Sequence, residues 1–469
     1  MPTRSQNVQM RIVKATLDRT ASTQDFTVSG FGTPKFAIIM HGSSDPAFSL
    51  AFDANMRGSF GFWCANGQGA VGWANQDSVS TTNCGRHLST TYAIAMPDYA
   101  GSALDTAYTA SAVTDGIRLT KTTNAMSYDF ECQVVLFGGS GILNVDVGTQ
   151  DFISSANISG ISDGGAFTPN WLMVISANTA TTDATNNHSA VSIGVAAKDI
   201  NGAGGSGITN TCQSWHMLDN QATAVCHAMH AESYAAVRNN FGSNYAYWAA
   251  TAFTSGGVTG SETASGGMTA HVCGWLAVEF DTTDADYCQG LLAGYNLDGS
   301  GGSPSLSKAT LTNDADNFCA GAVVHLSGLD TLDTTTSSGS YHLAMEIGFY
   351  DPTGKHGGMG WAFEEGVSLT NCGGRMEIDG SFRLPQYDGW GGGADIAVTY
   401  WASVQGGRFT VDPTYTVNSA FRGVGSVNCI GVGTRSVYAG DELAGISVGD
   451  NTVVAVYKGS TLLYGDDSF

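Results

Sequence analysis

The densest group of side chains able to hold a metal is Cys226-His227-Ala228-Met229-His230-Ala231-Glu232. On a helix, His227 and His230 would share a face and offer two imidazoles to an ion such as zinc. On a strand they would point to opposite faces. The other repeats of the chain, described below, carry no equivalent set, and this favours a non-metal reading. Asp281, Asp284 and Asp286, with Asp314 and Asp316, offer oxygens suited to calcium. Their spacing lacks the Gly and terminal Glu of a known calcium loop, so solvated acidic loops are the better reading. Adjacent Glu364 and Glu365 raise the paired carboxylates of glycoside hydrolysis. Neighbours on a strand face opposite ways, and Gln76 and Asp77 stand at the matching positions of another repeat. No Gly-x-Ser-x-Gly elbow lies near a helix-forming segment, and no Walker loop occurs. Gly204-Gly205-Ser206-Gly207 reads as a flexible loop. No catalytic residue or metal ligand is assigned, and no cofactor is expected.

Recognition is the chemistry that remains. Pro385-Gln386-Tyr387-Asp388-Gly389-Trp390-Gly391-Gly392-Gly393 places two aromatics in a glycine-rich loop. An exposed ring can stack on the apolar face of a sugar while Asp or Gln accepts hydrogen bonds from its hydroxyls. Tyr387, Asp388 and Trp390 are therefore the glycan-contact candidates. The competing reading, in which Trp390 plugs the end of a β-sandwich, is the simpler one.

The elements that must position these groups are announced by a repeat. Gly72-Trp73-Ala74, Val79-Ser80 and Thr82-Asn83-Cys84-Gly85 return as Gly360-Trp361-Ala362, Val367-Ser368 and Thr370-Asn371-Cys372-Gly373, all at one constant offset. A weaker middle copy has Trp215, Asp219 and Cys226 in step with Trp73, Asp77 and Cys84. Before each block lies an apolar run with a glycine: Phe60-Gly61-Phe62-Trp63, Ile193-Gly194-Val195-Ala196 and Ile347-Gly348-Phe349-Tyr350. A cysteine beside an apolar run closes each unit, at Cys132, Cys273 and Cys429. The openings Phe31-Gly32-Thr33-Pro34-Lys35 and Phe167-Thr168-Pro169-Asn170 are alike. The third unit lacks that proline, and only Val323-Val324-His325-Leu326 occupies a similar place. The chain thus reads as three tandem versions of one domain of roughly 140–150 residues, a normal domain size. Equivalent Trp residues in repeats are read as core.

Composition sets the fold class. Hydrophobic residues make up 42% and charged residues only 13%, with 62 glycines. Apolar stretches are short, rich in Val, Ile, Phe, Tyr and Trp, and separated by Gly, Asn, Asp, Ser and Thr clusters, the pattern of strands joined by turns. Ala224–Arg238 is the one alanine-rich stretch that suggests a short helix. The expected fold is all-β: three tandem antiparallel β-sandwich, jelly-roll-like domains plus a small C-terminal β-hairpin module. The expected limits are 1–150 for repeat one with an N-terminal strand and 151–285 for repeat two. A Gly/Ser/Asp-rich connection follows over 286–318, then repeat three over 319–440 and the C-terminal appendage over 441–469.

A net charge of -22 repels phosphate backbones and anionic lipid, which argues against nucleic-acid partners. No apolar stretch approaches the roughly 20 residues that span a bilayer, so membrane insertion is not expected. Met1 to Lys14 lacks the apolar core of a signal peptide. The ten cysteines include no CxxC pair and no zinc spacing. Without an oxidising compartment they read as buried free thiols.

The order of these features resembles virion structural proteins of tailed bacteriophages and prophages. The shared elements are the Gly-Phe-x-Pro-Lys opening, here Gly30-Phe31-Gly32-Thr33-Pro34-Lys35 with one extra residue, and the Gly-Trp-Ala block. The closing run Gln133-Val134-Val135-Leu136-Phe137-Gly138-Gly139 and the C-terminal Val456-Tyr457-Lys458-Gly459-Ser460-Thr461 complete the match. The resemblance implies a non-enzymatic virion component, tail-associated, acting as a fibre or host-adhesion protein. The alternative is a head decoration protein, and the third reading is a polysaccharide depolymerase. The implied partners are other virion proteins, further copies of the chain in a homo-oligomer, and a host-surface glycan. The implied location is the virion, assembled in the host cytoplasm.

Overall fold

The computed structural model describes residues 8–42, 53–127, 129–151, 157–198, 207–231, 233–239, 245–264, 271–281, 289–298, 319–327, 342–351, 356–364, 372–376, 382–384, 396–405, 408–415, 422–431, 455–458 and 461–465. Among them every helix or strand is a β-strand, and the sheets are antiparallel.

Unit one comprises β1 (Gln9–Leu17), β2 (Thr23–Thr27), β3 (Phe36–Gly42), β4 (Asp53–Ala54), β5 (Met56–Cys64), β6 (Gly67–Asn75), β7 (Cys84–Ser89), β8 (Ile94–Pro97), β9 (Leu104–Val113), β10 (Gly116–Asn124) and β11 (Phe130–Gly138). Unit two repeats the series as β12 (Ile142–Asp151), β13 (Ile158–Ser159), β14 (Trp171–Thr179), β15 (Ala184–Asn187), β16 (Ser189–Lys198), β17 (Ile208–Met217), β18 (Cys226–Ala231), β19 (Ala236–Asn239), β20 (Tyr245–Thr254), β21 (Gly257–Ala264) and β22 (Val272–Phe280). Unit three has β23 (Gln289–Asp298), β24 (Cys319–Ser327), β25 (His342–Tyr350), β26 (His356–Glu364), β27 (Cys372–Met376), β28 (Phe382–Leu384), β29 (Ile396–Gln405), β30 (Arg408–Tyr415) and β31 (Arg422–Gly431). A terminal hairpin joins β32 (Ala455–Lys458) to β33 (Thr461–Gly465).

The three large sheets run β1-β11-β3-β5-β6-β7, β12-β22-β14-β16-β17-β18 and β23-β31-β24-β25-β26-β27, one order used three times. A smaller sheet accompanies each: β2-β10-β9-β8, β13-β21-β20-β19 and β28-β29-β30. Sequential strands pair within a sheet over β5-β6-β7 and β8-β9-β10, while the chain crosses between the two sheets at β1–β2, β2–β3, β7–β8 and β10–β11. Sheet membership also moves two limits. β12 starts inside the stretch assigned to repeat one, and β23 occupies part of the expected connection over 286–318. Ala224–Arg238 forms β18 and β19 in place of a helix, because pairing of Cys226–Ala231 along β17 extends the sheet.

Alternation along the large-sheet strands explains the architecture. On β3, Ala37 and Ile39 face the small sheet, joining Phe26, Ile94, Tyr108, Ile117 and Leu119 in a sandwich core. Phe36, Ile38 and Met40 point the other way, into a second core. Unit two repeats this: Leu172 and Val174 enter its sandwich core, while Trp171, Met173 and Ile175 enter the second. That second core is common property, since it also takes Val323, Met345, Ile347, Phe349 and Trp361 of unit three. A strand buried on both faces reads as a near-continuous apolar run, as Phe36-Ala37-Ile38-Ile39-Met40 does.

The contacts between units run in one direction. β6 packs on β12, β14 and β16 of unit two, β17 packs on β24 of unit three, and β26 packs on β1, β11 and β3 of unit one. Each contact is head-to-tail, and after three steps the chain has closed a ring.

The recurrent glycine of the apolar runs has a local cause. A Cβ at Gly61 would lie 2.2 Å from the Ala93 carbonyl oxygen, and one at Gly194 would lie 2.0 Å from that of Ala235. Both lie where the large sheet meets the backbone just before β8 and β19 of the small sheet. Two residues earlier, Ser59 Oγ accepts the Ala95 N–H at 2.9 Å and Ser192 Oγ accepts the Val237 N–H at 3.1 Å.

Candidate functional site

The residues that recur in the sequence meet at the ring's centre. Trp73, Trp215 and Trp361 are fully buried and touch pairwise, with centroid separations of 5.8, 6.1 and 5.3 Å. The recurrent Asp and Cys join neighbouring units. Cys84 N–H donates to Asp219 Oδ1 at 3.0 Å, and its thiol donates to the Met217 carbonyl at 3.4 Å. Cys372 N–H donates to Asp77 Oδ1 at 2.9 Å, and its thiol donates to the Asn75 carbonyl at 3.4 Å. The same contact is thus made twice, across different junctions. Cys64, Cys84, Cys132, Cys212, Cys226, Cys273 and Cys372 are buried thiols outside any disulfide. Burial pushes the Cys64 thiol up to about 11 and also raises Cys84, Cys132, Cys273 and Cys372, which keeps them protonated at neutral pH.

Two of the junctions also share a strand, added by one unit to the edge of another's sheet. β15 of unit two pairs with β7 of unit one, from Ala184↔Leu88 to Asn187↔Gly85. β4 of unit one pairs with β27 of unit three. Around β15, Arg86 Nη1 donates to the Asn187 carbonyl at 2.7 Å, and Ser89 Oγ and Thr90 N donate to Asp183 Oδ1 at 2.8 and 3.1 Å. The Arg86 guanidinium is lowered to about 10 by burial.

Buried imidazoles form a second set. His41 Nδ1 lies 2.9 Å from the Glu131 carbonyl, and His87 Nδ1 lies 3.0 Å from Thr185 Oγ1. His230 and His325 sit edge-on with centroids 6.3 Å apart, and His325 Nδ1 is 3.5 Å from Thr211 Oγ1. Desolvation lowers His41 and His87 to about 4, and His230 and His325 to about 3. These rings are neutral at pH 7. The expected opposition of His227 and His230 on a strand is seen: His227 stacks on His216 at 4.6 Å, whereas His230 faces the shared core. Among the described residues no group of three or more His, Cys, Asp or Glu gathers around a common point.

One open cleft stands apart from the junctions, at the end of the unit-two sandwich. It encloses about 450 Å³, and its walls include Leu143, Pro169, Lys198, Phe253, Glu279 and Asp281. The floor is held by Asn170, whose amide donates to the Phe280 carbonyl at 2.8 Å and accepts the Phe280 N–H at 3.0 Å. Asn144 Nδ2 donates to Glu279, fixing that carboxylate at the rim. Leu143 is 43% exposed, an unusual state for a large apolar side chain among the described residues.

Strand register allows a residue-by-residue comparison with unit one. Phe36 and Trp171 are equivalent, as are Phe137 and Val278 opposite them. Glu279 therefore stands where unit one has Gly138, and Lys198 stands where it has Ala65. From the β9–β10 and β20–β21 hairpins, Phe253 takes the place of Ala112. Small residues at this end of unit one are replaced by charged and aromatic ones in unit two. Nothing in the local sequence marks the cleft, because its walls come from segments far apart in the chain.

Tyr387, Asp388 and Trp390 lie outside the described residues, as do Glu365, Asp284, Asp286, Asp314 and Asp316. Glu364 is the last residue of β26, and Asp281 lines the cleft. No protein-family model, curated protein or solved structure matches the chain.

Proposed function

We propose that the chain is a non-enzymatic structural protein of a tailed-phage particle, tail-associated and acting in host adhesion. The observation that carries this reading is the closed ring of three like sandwiches. A trimer-like frame written into one polypeptide does not depend on subunit concentration for its assembly, as separate protomers would. Such a frame suits a fixed position on a symmetrical particle, with the loops at the sandwich ends free to meet a surface. Several weak contacts held in fixed geometry add through effective concentration. In this reading other virion proteins and further copies of the chain are its partners. In the same reading the glycine-rich stretch with Tyr387, Asp388 and Trp390 is a glycan contact.

The same ring favours one second reading. Icosahedral shells present local threefold positions, and a threefold frame fits a head decoration protein there. Quantitative mass spectrometry of purified virions separates the two. A handful of copies per particle supports the tail, and a number approaching that of the major capsid protein supports decoration. Absence from the particle overturns both.

A further inference from the structure

We propose that the cleft at the end of unit two is a saccharide-binding site that takes an uncharged sugar residue. The proposal deepens the adhesion reading and assigns it to a described surface. Four observations carry it. The cleft's volume of about 450 Å³ falls within the range of small-ligand sites, roughly 300–1,000 Å³. Its walls mix the two kinds of surface a pyranose presents. Leu143 and the half-buried Phe253 offer apolar area to the C–H face of a sugar ring, while Glu279 and Asp281 accept from hydroxyls and Lys198 donates to them.

Third, the polar groups are mounted on a rigid floor. Glu279 precedes the Phe280 that Asn170 clamps through two hydrogen bonds, and the Lys198 N–H donates to the Asn170 carbonyl at 2.8 Å. Fourth, unit one lacks the set, because Gly138, Ala65 and Ala112 stand at the corresponding places there. A frame position does not require that change, since unit one builds the same strands without it. Polyanionic ligands are disfavoured by two carboxylates against one ammonium in the cleft and by the net charge of -22.

The test is saturation-transfer difference NMR on the full chain with glucose, galactose, rhamnose and N-acetylglucosamine, each in the millimolar range. The expected result is transfer to at least one of these sugars. It should weaken at least tenfold in Phe253→Ala and in Glu279→Gln, and stay unchanged in Ala112→Ser at the matching place in unit one. Phe253 and Glu279 are only partly buried, and an unchanged melting temperature verifies that the variants fold. Transfer to none of the sugars, or transfer that survives both cleft variants, overturns the proposal. The virion measurement fails or succeeds separately. A protein found on the particle that binds no sugar removes the site and leaves the virion reading. A sugar bound by a protein absent from the particle does the reverse.

Discussion

Two junctions of the ring use one geometry with opposite chemistry. Where unit one meets unit two, the facing cross-strand pair is Val71 and Leu88, and Ile175 lies in the same core. Where unit two meets unit three, the equivalent pair is Gln213 and His230, with His325 at the place of Ile175. The third junction returns to apolar residues, Met359 and Met376, with Met40. The frame therefore does not depend on one set of side chains at these positions. Trp73, Trp215 and Trp361, with the Asp-to-Cys contacts, are the part repeated. The polar junction distinguishes one interface from the other two, as a single polar position does in helical assemblies. It gives the chain a chemical means of pairing unit two with unit three in the right order.

The largest effect is expected at the shared centre. Trp73→Ala and Trp215→Ala should each cost about 3–5 kcal/mol by leaving a cavity in the common core. Denaturant unfolding would measure this, and near-equal losses would show that the junctions share one frame. A silent substitution at either site would break the comparison.

The histidines should make the polar junction sensitive to acid. Their folded values lie below the unfolded 6.5, so above pH 6.5 both states are neutral and the groups contribute nothing to the pH dependence. As pH falls below 6.5 the unfolded chain takes up protons that folded His230 and His325 refuse. Stability is lost until pH reaches the folded values of about 3. At pH 5 each histidine should cost roughly 2 kcal/mol. Installing unit one's residues, as His230→Leu with His325→Met, should retain up to roughly 4 kcal/mol at pH 5 relative to the parent's own acid loss. Melting curves from pH 7 to 5 for parent and double variant would measure the difference. His41 and His87 should leave a residual acid slope in both proteins.

Smaller effects should follow the repeated contacts. Asp77→Ala and Asp219→Ala should each cost about 1.5–3 kcal/mol, the worth of a carboxylate acceptor on a backbone N–H. Similar values at the two sites would sharpen the view that they are one contact made twice. The exposed pair of Arg118 with Asp25, at 2.6 and 2.8 Å, lies outside any junction. Arg118→Ala should leave the melting temperature essentially unchanged, because an exposed ion pair contributes little.

Much of this was legible in the sequence, but not its meaning. The Trp, Asp and Cys positions announced a repeat, and a repeat alone does not say whether units lie in a row or face one another. The run Phe36–Met40 is apolar at every position, which fits a buried strand without naming what buries its second face. The Phe-Gly-Phe run was visible, whereas the need for glycine arises from the Ala93 carbonyl, more than thirty residues away in sequence. Ala224–Arg238 misled because alanine favours helices locally, and sheet pairing overrode that preference. The unit-two cleft left only a faint trace. Glu279 and Lys198 break no local pattern, and they stand out only after the strand register is known.

Three units that form one ring around a common core must unfold together. Differential scanning calorimetry of the full chain at pH 7 tests this most directly. A single transition is expected, with calorimetric and van't Hoff enthalpies that agree for the three units together. Two or three separable transitions, with Trp215→Ala lowering only one of them, would contradict it.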